Sequence, residues 1–205
     1  MRRSARTSEY GLRLKSCAIS VPVRKRQWVD IPGGNGQIDL MEGFCPARYE
    51  QRTVRAVFEP ITDALGTALD AIQSMEGEAV KICLPNDSVH YMNGVAHVEG
   101  GGERPGSPVS ISFLCIPWRE SVNERVIQVP ANSEGRDALL HNGGKREIIP
   151  TVVAGGDAGI SYGDQSISLS AGTYELPALT VLGGEELTIT VTGGPVTVKY
   201  REAVL

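Results

Sequence analysis

The residues of this 205-residue chain that invite a chemical reading are glycine loops, scattered histidines and cysteines, and two neighbouring carboxylates. The loop Pro32-Gly33-Gly34-Asn35-Gly36 has the composition of a phosphate cradle. A cradle needs a helix N-terminus directly behind it, usually with a Lys-Ser/Thr pair, because the helix supplies oriented N–H groups. Here Gln37-Ile38-Asp39-Leu40 follows and alternates like a strand, so the loop reads as a glycine turn between two strands. Asn142-Gly143-Gly144-Lys145 fails the same test and reads as a hairpin turn.

His90 and His97 are the nearest approach to a metal pair. An odd separation along an extended chain points two side chains to opposite faces, so one strand cannot aim both at one ion. His141 stands alone in a turn. Cys17, Cys45, Cys83 and Cys115 lie far apart, without a CxxC pair, and read as reduced thiols of a protein made in cytoplasm. No cysteine has a histidine nearby in sequence to activate it. Asp30 and Asp39 flank the glycine turn, where carboxylates are commonly solvated or bonded to backbone. The expectation is no catalytic residues, no cofactor and no metal.

Charge narrows the partners. The net charge is -4, and residues 1–122 carry 14 basic and 14 acidic side chains, so all of the excess lies in residues 123–205. Arg24-Lys25-Arg26 beside Trp28 is a short basic patch in a region of zero net charge, a solvated or inter-subunit face sooner than a nucleic-acid site. The N-terminus has two early arginines without an apolar segment behind them, and no apolar run approaches a membrane span. Neither export nor membrane insertion is expected.

Sparse aromatics with abundant Gly and Pro favour a turn-rich, mainly β chain. One segment, residues 61–75, has helical spacing: Ile61, Ala64, Leu65, Ala68, Ile72 and Met75 share a face, with Pro60 before it and Gly77 after. Elsewhere the period is two. Val54, Ala56 and Phe58 face one side of a strand, and Val109, Ile111, Phe113 and Cys115 repeat the pattern. Residues 79–84 and 89–98 read as strands joined through Pro85-Asn86-Asp87, and residues 99–108 as a flexible loop tip. In the second half Ile167/Leu169, Leu187/Ile189/Val191 and Val196/Val198/Tyr200 are inward sets separated by glycine breaks, the pattern of a small sandwich or jelly roll. A boundary near residues 118–125 gives two domains, 1–122 and 123–205.

Four segments in fixed order resemble the distal tail (Dit) family of siphophages and related prophages. They are VDIPGGNGQIDL (Val29–Leu40), YEQRTVRAVF (Tyr49–Phe58), the helix with Met75-Glu76-Gly77 running on to Asp87, Tyr91 and Gly94, and Cys115-Ile116-Pro117-Trp118. Where the family usually has His-Gly, this chain has Glu76-Gly77. The closing VTVKYREAVL is similar to the galectin-like sandwich that follows in the family.

The resemblance implies an N-terminal β-sandwich with one helix that packs into a homohexameric ring around a DNA channel. Such a ring joins the tail-tube protein above to a tail-associated hub protein below, at the tail tip or baseplate of a virion assembled in the host cytoplasm. The C-terminal galectin-like domain projects outward and can anchor receptor-binding or side-fibre proteins. Arg48, Arg52 and Arg55 are expected near subunit contacts, since arginine is enriched at interfaces. The competing readings are a tail-tube or other tail-tip subunit, and a carbohydrate-binding module. The second suffers because Tyr162, Tyr174 and Tyr200 are the only aromatics after residue 122.

Overall fold

The computed structural model describes residues 11–41, 48–61, 73–101 and 107–205. The helix expected over 61–75 falls almost wholly on 62–72, outside the described residues, as do Cys45 and half of the loop tip. What is described is mainly β, in antiparallel sheets. The chain divides into two compact units, Met1–Arg119 and Glu120–Leu205.

The first unit holds β1 (Leu12–Ile19), β2 (Trp28–Asp30), β3 (Gln37–Asp39), β4 (Arg52–Pro60), β5 (Ala79–Leu84), β6 (Asp87–Gly101) and β7, which starts at Val109 and runs to Ser121. One sheet is ordered β1-β4-β7-β6-β5, and β2 pairs β3 in a separate two-stranded sheet. The period-two pattern sets which face is buried. Val54, Ala56 and Phe58 on β4 pack with Ile111, Phe113 and Cys115 on β7, Met92 and Ala96 on β6, and Leu12 on β1. Fully burying side chains of this size contributes roughly 1.5–3 kcal/mol each before the entropy of ordering is subtracted.

The two ends of this sheet differ. Edge strand β1 carries a register shift between Leu14 and Ser16, and its Arg13 and Lys15 both reach Glu59 (3.0 and 2.9 Å). Bulges and charges blunt an edge against unwanted pairing. Edge strand β5, AVKICL, carries one charge, Lys81, whose ammonium sits 4.2 Å from the centre of the Tyr91 ring.

The second unit holds β8 (Arg125–Val129), β9 (Asn132–His141), β10 (Thr151–Ala154), β11 (Ala158–Tyr162), β12 (Gln165–Leu169), β13 (Gly172–Glu175), a 3-10 turn (Pro177–Leu179), β14 (Glu186–Gly193), β15 (Val196–Tyr200) and β16 (Ala203–Val204). Two four-stranded sheets, β13-β10-β15-β8 and β12-β11-β14-β9, contribute to one apolar core. Val152, Val196 and Val198 enter it from the first, and Leu140, Ile160, Ile189 and Val191 from the second.

The hairpin expected at Asn142-Gly143 is not formed. Strand β9 pairs β14, whereas the next strand, β10, belongs to the other sheet. Asn142 explains the difference. Its fully buried amide donates to the carbonyls of Arg146 (2.8 Å) and Val181 (3.0 Å), and its Oδ1 accepts the Gly144 N–H (3.0 Å). The side chain therefore stitches an irregular connection between sheets, satisfying backbone groups that a two-residue turn would have satisfied locally.

Candidate assembly surface

The residues singled out for chemistry sit apart and have structural partners. His90 and His97 both lie on β6, but His90 Nδ1 meets Asp87 (2.9 Å) and His97 Nδ1 meets Glu76 (3.1 Å). Asp87 also receives Arg119 at 2.8 Å. Burial pushes the Asp87 carboxyl upward, and the His90 and Arg119 contacts outweigh it, leaving the group below its ordinary value. Cys17, Cys83 and Cys115 are free thiols, and burial pushes Cys115 up to about 11, which keeps it protonated and inert at neutral pH. Among the described residues no group of three His, Cys, Asp or Glu side chains is placed to hold a metal ion.

Asp30 and Asp39 do not converge. Across the hairpin Trp28 pairs Asp39 and Asp30 pairs Gln37, and Asp30 accepts from Gln37 Nε2 (2.9 Å). Asp39 is buried and accepts the N–H groups of Gln27 and Met41, both at 3.0 Å, with Arg26 at 3.5 Å. Those contacts, led by the Gln27 N–H, hold its carboxyl below the usual carboxylate range.

These bonds tie down a segment with an unusual surface. Of the large hydrophobic side chains exposed among the described residues, half lie between Ile19 and Leu40. Val21 is 78% exposed, and Val23, Trp28, Val29, Ile31, Ile38 and Leu40 are also out in solvent. Val29 and Ile38 pair directly across the hairpin and share one of its faces. The turn at its tip needs glycine, because Gly33 and Gly36 take φ of +74° and +109°. A lone two-stranded hairpin is at best marginally stable in water. Its support is the Asp39 anchor, the Leu40 N–H bond to the Gln27 carbonyl (2.8 Å), and Arg26 stacked 5.7 Å from the Trp28 ring.

The segment is joined to the chain after residue 47 by an Arg24–Tyr49 bridge, with Lys25 N–H donating to the Arg48 carbonyl and Glu50 N–H to that of Val23. The three arginines expected at subunit contacts take different places around it. Arg48 is exposed beside this bridge. Arg52 is buried at 8% exposure and donates to the carbonyls of Ser20 (3.1 Å) and Pro117 (3.3 Å). Burial and the nearby Arg119 charge lower its pKa. Arg55 projects from β4, with its guanidinium 3.5 Å from Glu99, both well solvated. Tyr49 meets Trp118 edge to face at 5.4 Å. The apolar surface of Val21, Val23, Trp28 and Ile38 was missed in the sequence. Its signal was the alternation Ile19-Val21-Val23 beside a tryptophan and a basic triplet.

The chain shares the fold of SPP1 Dit. The crystal structure of SPP1 Dit (gp 19.1), a paradigm of the hub adsorption apparatus in phages that infect Gram-positive bacteria, matches with a TM-score of 0.67. The match covers 97% of this chain and 96% of that one, at 12% sequence identity. No protein-family model matches the sequence, and no curated protein matches it. The likeness to Dit therefore resides in backbone architecture. A concavity of the second unit, about 490 Å³ and open, is lined by polar groups such as Asp157, Ser168, Ser170 and Thr192, with no aromatic ring among them.

Proposed function

We propose that this chain is a structural subunit of a phage tail, a distal tail hub component that closes into a ring of six copies around the DNA channel. The observation that carries the reading is the fold shared with SPP1 Dit over 97% of the chain. In this reading the unit Met1–Arg119, a β-sandwich with one helix, forms the ring, and Glu120–Leu205 is a galectin-like sandwich facing outward. The ring stacks on the tail-tube protein above and holds the tail-associated hub protein below, while receptor-binding or side-fibre proteins attach outside. The protein acts in the virion tail tip, after assembly in the host cytoplasm, and it is not an enzyme.

Two features support a ring. A closed ring needs heterologous contacts, in which one patch of each subunit meets a different patch of the next. The apolar surface between Ile19 and Leu40 is a patch of the kind a neighbour covers. The sheet order also leaves two unlike edges, blunted β1 and less charged β5, so a head-to-tail arrangement has different partners to bring together. Arg48 and Arg55 lie at the rim of such contacts, and Arg52 braces the backbone behind them.

Mass photometry with negative-stain imaging of the purified chain tests the proposal, alone and mixed with tail-tube rings. A six-membered annulus with a central hole is expected. A chain that stays monomeric in both conditions overturns the reading.

A further inference from the structure

The sequence contains three Asn-Gly dipeptides: Asn35-Gly36, Asn93-Gly94 and Asn142-Gly143. This dipeptide is chemically labile because glycine has no side chain to hinder attack by its backbone nitrogen on the preceding Asn amide, provided the backbone can reach the geometry.

The fold treats the three differently. Asn142 is fully buried with both side-chain atoms bonded, and the Gly143 N–H already donates to Glu202 (3.2 Å). Asn93 lies inside β6, opposite Lys81 of β5, and Gly94 is so tightly packed that a Cβ there would stand 2.7 Å from the Cys115 sulfur. Both are held in extended or locked backbone, without room to close a five-membered ring. Asn35 is exposed in the hairpin turn. The following Gly36 has nothing within 4 Å of its would-be Cβ, and its φ of +109° is a conformation only glycine adopts without strain.

We propose that Asn35 is a spontaneous modification site of this protein, selected by the fold from three equivalent dipeptides. The Gly36 nitrogen bonds to Asn35 Cγ, the Cγ–Nδ2 bond breaks, and the Gly36 amide proton leaves with ammonia. Water then opens the resulting succinimide at either carbonyl, giving Asp or isoaspartate; nothing is oxidised or reduced. The product adds a negative charge between Asp30 and Asp39, at the turn that sets the β2–β3 register. Isoaspartate also lengthens the main chain there by one methylene, in a turn whose register fixes which side chains pair.

The test is peptide mapping with isoaspartate detection after incubating the full-length protein at mildly alkaline pH, native and in denaturant. Native protein should gain deamidated peptide at Asn35 several-fold faster than at Asn93 or Asn142, and denaturant should bring the three rates together. Asn35→Gln should remove most of the acidic species seen on charge separation. Equal native rates at the three sites, or an Asn35 preference that persists in denaturant, overturns the assignment.

Discussion

The Tyr200 hydroxyl donates to the His141 carbonyl (2.9 Å) and accepts the His141 N–H (3.2 Å), so a single side-chain oxygen serves both backbone groups of one residue. Tyr200 ends β15 and His141 ends β9, strands of different sheets, which makes this a polar tie at the rim of a shared core. Burial raises the Tyr200 pKa, so the hydroxyl keeps its proton throughout the neutral range.

Tyr200→Phe keeps the buried ring and removes only that oxygen. Losing a partly buried hydrogen-bond partner costs about 1–2 kcal/mol. The transition assigned to the second unit should fall by roughly 4–8 °C for each kcal/mol lost. Tyr174→Phe is the control: its hydroxyl donates to the Ser170 carbonyl at an exposed site, and a much smaller shift is expected. Differential scanning calorimetry reads both. Equal shifts would show that the pair of hydrogen bonds at Tyr200 carries no special weight.

At Gly94, β6 packs tightly against β7. A Cβ at this position would lie 2.7 Å from Cys115 Sγ and 3.0 Å from the Leu114 carbonyl. Cys115 is buried and the carbonyl is backbone, so neither can yield cheaply. Gly94→Ala should destabilise the first unit by roughly 1–3 kcal/mol, the usual cost of overpacking. Adding Cys115→Ala should recover part of that loss. Denaturant titration of the single and double variants measures it, and a neutral Gly94→Ala would contradict the packing described.

The hairpin should respond to acid. Asp39 has its pKa held below the unfolded value, so its contribution is complete above about pH 4, where an unfolded Asp is ionised, and fades as pH falls through the lower folded value. Protonation takes the negative charge from the bonds to Gln27, Met41 and Arg26. Trp28 fluorescence should therefore change on acidification before the core strands melt. Asp39→Asn should show the acid-like signal already at pH 7, and a wild-type signal from that variant would remove Asp39 as the anchor.

How much of this could be read from residues alone depends on where the information sits. Strands β4 and β7 were legible because Val54, Ala56, Phe58 and Val109, Ile111, Phe113 alternate cleanly, and a one-residue slip would turn each set out of the core. Strand β5 appears at its expected bounds, while β6 extends past them at both ends. Strands β8 to β10 were not picked out, since β9 has only Ala138 and Leu140 buried among its ten residues. Asn142 misled because a dipeptide that favours hairpins was overridden by partners as distant as Val181. The exposed apolar surface between Ile19 and Leu40 was hardest to see, because apolar composition alone does not separate an exposed residue from a core one.

Arg52 and Arg55 lie three residues apart on β4 and should behave oppositely when changed. Arg52→Ala leaves the Ser20 and Pro117 carbonyls without their donor in a buried setting, a loss of about 1–3 kcal/mol, so it should lower the unfolding temperature of the first unit. Arg55 is mostly solvated, and its pair with Glu99 is worth at most about 1 kcal/mol, so Arg55→Glu should leave folding almost unchanged. If Arg55 lies at a subunit contact, as proposed, reversing its charge shifts the particles toward monomer, and lower salt strengthens the effect because exposed charges are then less screened. Val29→Lys with Ile38→Lys, which puts two charges on one face of the hairpin, should do the same by a different route. Light scattering after size exclusion separates the cases. A folded Arg55→Glu protein with unchanged ring mass would move the contact off β4, and unchanged mass in the hairpin variant as well would remove both surfaces from the ring.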